Sequence, residues 1–244
     1  MFTASETPVK DKIAAKLSAA RTRLIMDQPF LGALVLRLPL VKADPRWCKT
    51  MATDARKLYF NAAYVDALSL EQTQFMLAHE ALHCGLVHFA RRAHRVQQRW
   101  DIACDFAINP MLVRQGLQAP PNSLLEESFA GMCAEEIYPH ILQESDAQTL
   151  DQHLYHDKRG DVESAATQPQ SQSQQDSQGA EKPKPMQAGE REELRAQWQQ
   201  RLASAAQQAQ LAGKFSAEMR RLVNAVLQPR TPWRVLLAQH MNSI

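Results

Sequence analysis

The chain has few cysteines, and none of them forms a pair that would hold a structural metal. Its four cysteines, Cys48, Cys84, Cys104 and Cys133, are widely spaced, without a Cys-x-x-Cys motif. This spacing argues against a disulfide framework and against a zinc ribbon. We therefore expect reduced thiols, most of them buried.

Long apolar runs and an excess of one charge are also missing. The first ten residues are polar where a secretory signal needs an apolar stretch, and no later run is long enough to span a bilayer. The 28 basic and 26 acidic side chains give a net charge of +2, which favours neither nucleic acid nor an anionic membrane as partner. We expect a cytoplasmic protein that binds neither.

Apolar spacing predicts a helix, then two strands, in the first part of the chain. The 244 residues are 45% apolar, enough for one good core or two small ones. Residues 9–26 carry apolar side chains at helical spacing, and Pro29 ends the pattern. Residues 30–41 and 57–61 are predicted as strands of a small sheet. The fold class is therefore α+β, mainly helical with a small sheet.

A further set of helices follows these strands. Ser69 and Gln72 form a capping-box signature, which predicts a helix that begins there and continues to about residue 92. Later helices are predicted over 98–115, where Pro110 would kink or shorten the helix, and over 134–143.

Composition divides the chain into three parts. Residues 1–143 form the first domain, and residues 144–190 are rich in Gln, Ser, Asp, Pro and Lys, which predicts a disordered insert or linker. Helical patterning resumes over 191–212, 216–227 and from 231. We expect these C-terminal helices, residues 191–244, to pack back on the first domain.

The predicted helix from Ser69 carries the motif His79-Glu80-Ala81-Leu82-His83, which is of the HExxH type. Two histidines four residues apart project from one face of a helix and suit a Zn²⁺ ion, because zinc prefers nitrogen, sulfur and oxygen ligands. Glu80 lies where a general base can take a proton from a zinc-activated water. The alternative is two helix histidines with ordinary hydrogen bonds.

Four other residues are candidates for the third ligand. Asp101 and Asp105 form one polar stripe with Asn109, so that one aspartate can bind zinc while the other accepts a hydrogen bond from a ligand histidine. His88 would point away from His79 on an unbroken helix and could join only if the helix broke at Gly85. Cys104 is a minor alternative, since it points away from the stripe.

Several segments together resemble a bacterial family of HExxH-type domains of unknown function that are regarded as metallopeptidases. The matching pieces are residues 57–61, 77–83, His88, Arg91 or Arg92, 100–109 and 134–138. The resemblance implies a zincin-like fold. Because Asp101 is commonly Asn in that family, it also implies that Asp105 is the third ligand.

The same family implies partners as well as a fold. Its members typically continue into a von Willebrand factor A-like domain and are often encoded beside MoxR-type AAA+ ATPases. We expect this chain to correspond to the front part of such a protein, without that C-terminal domain.

Three functional hypotheses follow. The first is a zinc metallopeptidase, a hydrolase of peptide bonds with Glu80 as base, in which strand 57–61 could pair with an extended peptide or protein substrate. The second is a non-catalytic zinc-binding adaptor of a MoxR-type AAA+ ATPase system. The third is a structural zinc site with four protein ligands, which Cys104 or His88 would have to close.

Overall fold

The computed structural model describes residues 6–142, 147–154 and 179–228, with side chains from Lys12 onward. Within these ranges the chain forms nine α-helices and two short 3-10 helices, at 127–129 and 138–140. The α-helices are α1 Glu6–Asp27, α2 Pro29–Val35, α3 Ala62–Ala67, α4 Leu70–Gly85, α5 His88–Arg91, α6 Gln97–Arg114, α7 Ala134–Ile137, α8 Ala188–Leu211 and α9 Ala217–Leu227. None of these helices combines the length and apolar character needed to cross a bilayer.

A small mixed sheet lies beside the helices, which confirms the α+β class. Its strands are β1 Leu40–Lys42, β2 Met51–Thr53, β3 Leu58–Phe60 and β4 Gln152–His153, in the order β1-β3-β2-β4. β3 is parallel to β1 and antiparallel to β2, and β4 is parallel to β2. Helix α4 packs against this sheet, and Thr53 Oγ1 lies 3.4 Å from Cys84 Sγ at the contact.

The predicted start of the motif helix is confirmed in detail. The backbone N–H of Gln72 donates to Ser69 Oγ at 3.0 Å, and the backbone N–H of Ser69 donates to Gln72 Oε1 at 2.9 Å. These two bonds satisfy donors that the first turn of a helix leaves without partners. The apolar side chains Phe75, Leu82, Leu86 and Phe89 of the segment predicted as this helix are all buried.

The prediction of a strand over 30–41 is wrong for most of its length. Pro29 begins helix α2, where its fixed φ suits the first helical turn, and only Leu40–Lys42 are extended. Phe30, Leu31 and Leu34 are buried at helical spacing. The dense Leu and Val content therefore reflected a short buried helix, which resembles a buried strand in composition. Pro110 lies inside helix α6 without ending it.

A close contact between α1 and α2 depends on Gly32. A Cβ atom at this position would lie 2.6 Å from Ile25 Cα and 2.7 Å from Ile25 N, both of them backbone atoms. We expect Gly32→Ala to destabilise the protein by about 1–3 kcal/mol, because the helices must separate to admit the methyl group. Gly189→Ala is the control, since no atom lies within 4 Å of the Cβ position there. Denaturant unfolding measures both, and equal stabilities for wild type and Gly32→Ala would contradict this account.

Parts of the segment predicted as a disordered insert have described structure. Residues 147–154 include β4, and Ala180 forms a bridge with Ala43 and accepts a hydrogen bond from Trp47 Nε1 at 2.9 Å. Residues 155–178 lie outside the described part of the chain, as does the helix predicted from 231. The proposed division into three parts stays a prediction. Helix α8 begins at Ala188 and buries Trp198 and Leu202 in the main core with α2 and α4.

Candidate metal centre

Helix α4 brings the two motif histidines together in the interior of the protein. His79 Nε2 and His83 Nε2 lie 3.1 Å apart, and the two residues are 1% and 0% exposed. The four-residue spacing places them one turn apart on the same face, as the motif predicted. Their nitrogens can therefore face one cation.

Helix α6 supplies an acidic partner and a positioning group from its polar stripe. Asp105 Oδ1 lies 3.3 Å from His83 Nε2 and 3.8 Å from His79 Nε2. Asn109 Oδ1 accepts a hydrogen bond from His79 Nδ1 at 2.8 Å, while Asn109 Nδ2 donates to the Leu124 carbonyl at 3.1 Å. Asn109 thus fixes the tautomer that leaves His79 Nε2 available to a metal. The expected positioning role falls to Asn109 and not to a second aspartate.

A fourth donor comes from the segment that sequence reasoning treated as disordered. Asp151 is fully buried, and its Oδ1 lies 3.5 Å from His79 Nε2. One donor atom from each of His79, His83, Asp105 and Asp151 lies within 4.8 Å of the others. No helical or strand periodicity marks Asp151 in the sequence, so only its position beside strand β2 identifies it.

Asp101 does not belong to this group of four. His153 in strand β4 lies between the two aspartates, with Nδ1 3.0 Å from Asp101 Oδ1 and Nε2 2.8 Å from Asp151 Oδ2. His153 was not predicted as a site residue. The ion pairs connect the start of helix α6 to Asp151 through a single imidazole.

The motif helix ends earlier than predicted, and this changes the position of His88. Helix α4 stops at Gly85, and Val87 adopts a left-handed backbone with φ of 57°, which is uncommon for a β-branched residue. His88 then begins helix α5, and its Nδ1 lies 3.2 Å from His83 Nδ1. The helix thus ends at Gly85, which is the condition that the sequence argument set for His88 to approach the motif histidines. His88 reaches the nitrogen of His83 that faces away from His79.

His83, His88 and Cys104 form a second group whose donor atoms lie within 4.8 Å of one another. All three side chains are buried. Burial raises the pKa of Cys104 well above its usual value, which keeps the thiol protonated. A thiol binds metal as the thiolate. A cation bound to this second group would therefore have to displace the Cys104 proton, whereas in the first group the contact of His88 with His83 can orient the His83 imidazole.

Three buried carboxylates, those of Glu80, Asp105 and Asp151, lack the hydrogen bonds that such groups normally make, although both aspartates lie near histidine nitrogens. Neither oxygen of Glu80 and neither oxygen of Asp105 accepts a hydrogen bond from the described residues. The Tyr64 hydroxyl is also buried, and it has no hydrogen-bond partner among the described residues. Burial raises the Tyr64 pKa to about 12, with the negative charges of Asp151 and Glu80 adding to the effect. Buried carboxylates without partners are costly, which points to a cation among them.

The shifted pKa values indicate that several side chains of this centre are protonated when no cation is bound. Burial raises the pKa of Glu80 and of Asp105, and the charge of Asp151 raises both further. Burial opposes protonation of His79, but the charges of Asp151, Asp105 and Glu80 outweigh it and raise its pKa to about 9. Burial lowers the pKa of His83, so that ring is neutral. Because metal ligands must be deprotonated, a cation that binds here would displace these protons.

The four donors fit a small cation such as Zn²⁺. Ligands about 2.0–2.2 Å from a tetrahedral zinc lie about 3.3–3.6 Å from one another. Four of the six separations among the donors, 3.1, 3.3, 3.5 and 3.8 Å, fall close to that edge length, and the other two are within 4.8 Å. Two imidazole nitrogens and two carboxylate oxygens are also donor types that zinc accepts. The residues present therefore suit the group that the motif implies.

The chain matches a known family over most of its length. Residues 12–244 match the model of the family described as "Putative metallopeptidase domain". The chain belongs to this family. No curated protein and no solved structure matches the chain. The description of this family implies a metal, and the buried histidines and aspartates of the chain form a group that could hold one.

The order of strands in the sheet excludes one expectation about substrate binding. Strand β3, at the centre of the predicted strand 57–61, lies between β1 and β2, and its backbone pairs with both. A peptide can add only to a strand with a free edge. The prediction that this strand pairs with an extended substrate is therefore wrong. Within the described sheet, the outer strands are β1 and β4.

Proposed function

We propose that the protein is a zinc-dependent peptidase with a zincin-like arrangement of helix and sheet. The observation that carries this proposal is the buried Glu80 carboxylate, which has no hydrogen-bond partner among the described residues. Glu80 follows His79 in the sequence, and His79 is one of the four donors. A metal centre with such a carboxylate beside it has the parts needed to hydrolyse a peptide bond.

Each residue has a separate task in this proposal. His79, His83 and Asp105 would hold the ion, with Asn109 and His88 orienting the two imidazoles. When bound, zinc supplies Lewis-acid activation of a water molecule and of the substrate carbonyl. Glu80 takes a proton from the attacking water and passes it to the leaving amine nitrogen. The Tyr64 hydroxyl, whose pKa responds to Glu80 and Asp151, is a hydrogen-bond donor near these groups.

The first test concerns the metal itself. We expect purified protein supplied with zinc to retain one ion per chain, and His79→Ala to retain none, because the variant loses a ligand that Asn109 orients. His94→Ala is the control, since His94 is an exposed histidine outside the group. Elemental analysis after dialysis gives the stoichiometry. Hydrolysis of an unfolded protein substrate should stop on chelation and return with added zinc.

Two results would contradict this proposal. Stoichiometric zinc in His79→Ala would show that the ion binds elsewhere. A wild type that stays free of metal when supplied with zinc would remove the basis for both the zinc site and the peptidase.

The full burial of the four donors favours a second candidate function. All of them are no more than 5% exposed, which suits a zinc-binding protein without turnover. In that case the chain would act as an adaptor of a MoxR-type AAA+ ATPase system, as the family resemblance suggested. A zinc-loaded protein without hydrolysis in any variant would favour this function. A cytoplasmic location and a peptide or protein substrate are part of the first proposal.

A further inference from the structure

We propose that Asp151 is a fourth metal ligand, which closes the centre and keeps the peptidase latent until residues 147–154 move away. This inference rests on the proposed function, because it describes how that same site is controlled. It assigns a role to a carboxylate that the HExxH motif does not include.

The distances place Asp151 Oδ1 at the position of a direct metal ligand and not at that of a residue that only contacts a ligand. Its Oδ1 is 3.5 Å from His79 Nε2, which is about the edge length of a tetrahedral zinc site, as estimated from ordinary zinc bond lengths. Asp105 Oδ1 has a similar separation of 3.3 Å from His83 Nε2. Each aspartate thus faces one of the two imidazoles. Four protein ligands complete a tetrahedral shell, whereas a catalytic zinc site keeps one position for water.

The hydrogen bonds that join this segment to the sheet lie at the border of the sheet. The Leu150 carbonyl accepts a hydrogen bond from Thr50 Oγ1, and the backbone N–H of Leu154 donates to the Thr53 carbonyl at 3.0 Å. Strand β4 has only two residues and pairs with β2. His153 adds its ion pairs with Asp101 and Asp151. The other three donors, in contrast, come from the long helices α4 and α6.

A surface cavity lies directly outside the segment. Its volume is about 490 Å³, and it is lined by residues of both α6 and the segment, including Gln97, Asp101, Thr149 and Asp151. Asp151 therefore borders both the cavity and the group of donors. Displacement of this one segment would join the cavity to the centre and free a coordination position.

Glu80 indicates that the closed shell is a latent state and not a structural zinc site. A structural site with four protein ligands has no use for one more buried carboxylate, and the absence of hydrogen bonds to Glu80 is costly. The same residue is the expected base once water can enter. The closed centre thus already contains the general base, Glu80, that hydrolysis would need once water can enter.

Replacement of Asp151 tests the inference. We expect Asp151→Ala and the isosteric Asp151→Asn to retain one zinc per chain but to bind it more weakly, by at least the roughly 10- to 100-fold that loss of an outer-shell partner costs. Competition with a chromogenic chelator measures this affinity. If the open state of the wild type is populated at about 0.1–10%, Asp151→Ala should also raise hydrolysis of an unfolded protein substrate roughly 10- to 1000-fold. A purely structural role would lower affinity without raising turnover.

Asp54→Asn is the matched control, because Asp54 is a buried aspartate of the same sheet region that bonds the backbone N–H of Arg56 and Lys57. Its zinc affinity should equal that of the wild type. Unchanged affinity in both Asp151 variants would overturn the ligand assignment, and turnover that stays equal or falls would overturn latency. Either result leaves the proposed function intact if His79→Ala lacks zinc, whereas zinc in His79→Ala defeats the proposed function itself.

Discussion

Glu80→Gln is expected to abolish peptide hydrolysis while the zinc stays bound. The amide has the shape of the carboxylate but cannot accept a proton from water, and general-base catalysis contributes about 10²- to 10⁴-fold to a rate. Glu80 is not among the four donor residues, so the ion should remain. The measurement combines zinc stoichiometry with turnover, in the wild type and in the Asp151→Ala background, where the coordination position is open.

The control for this variant lies on the same helix. Glu71 is in the first turn of α4, half exposed, and pairs with Arg23, so Glu71→Gln should leave zinc content and turnover unchanged. Full turnover in Glu80→Gln would show that another group serves as the base. Loss of zinc from Glu80→Gln would show instead that this carboxylate holds the ion.

The local part of the site could be predicted from the sequence because helical geometry alone determines it. The spacing of His79 and His83, and of Asp105 and Asn109, places each pair on one helix face, and packing of α4 against α6 then joins them. The prediction erred only in the group that orients His79. Asn109 provides that hydrogen bond, although its place on the polar stripe was recognised.

The remaining site residues could not be predicted, because long-range contacts decide their positions. Asp151 and His153 occur in a stretch whose average composition is that of a linker, and a two-residue strand has no periodicity to detect. Their place follows from the parallel pairing of β4 with β2, about a hundred residues earlier in the chain. Such pairing is not encoded in local spacing.

The break in the motif helix has a similar tertiary cause. A single glycine inside a helical pattern is usually tolerated, so Gly85 alone does not predict an end. In the folded protein, a Cβ atom there would lie 3.1 Å from Leu34 Cδ1 and 3.4 Å from Leu202 Cδ1, which are side chains of α2 and α8. Arg91 Nη1 donates to the Leu86 carbonyl at 2.9 Å and pairs with Glu135. These contacts stabilise the turn that brings His88 to His83.

Trp198→Ala is expected to destabilise the protein by about 3–5 kcal/mol, the range for removal of a fully buried large aromatic side chain. Trp198 in α8 is 0% exposed, and its Nε1 donates to the Ala55 carbonyl at 2.8 Å, in the turn between β2 and β3. The variant would lose this packing and also leave the carbonyl without its donor, which adds to the cost. Denaturant unfolding measures the change, and Leu211→Ala on the same helix is the control because Leu211 is 84% exposed.

The unfolding transition of Trp198→Ala also tests whether helix α8 unfolds together with the rest of the core. If α8 belongs to one cooperative unit with the sheet and α4, then Trp198→Ala should shift a single transition, since the core they share is continuous. The zinc centre should then be lost at the same denaturant concentration as the helices. A small change in stability, with α8 unfolding before the zinc centre, would show that the C-terminal helices form a separate unit.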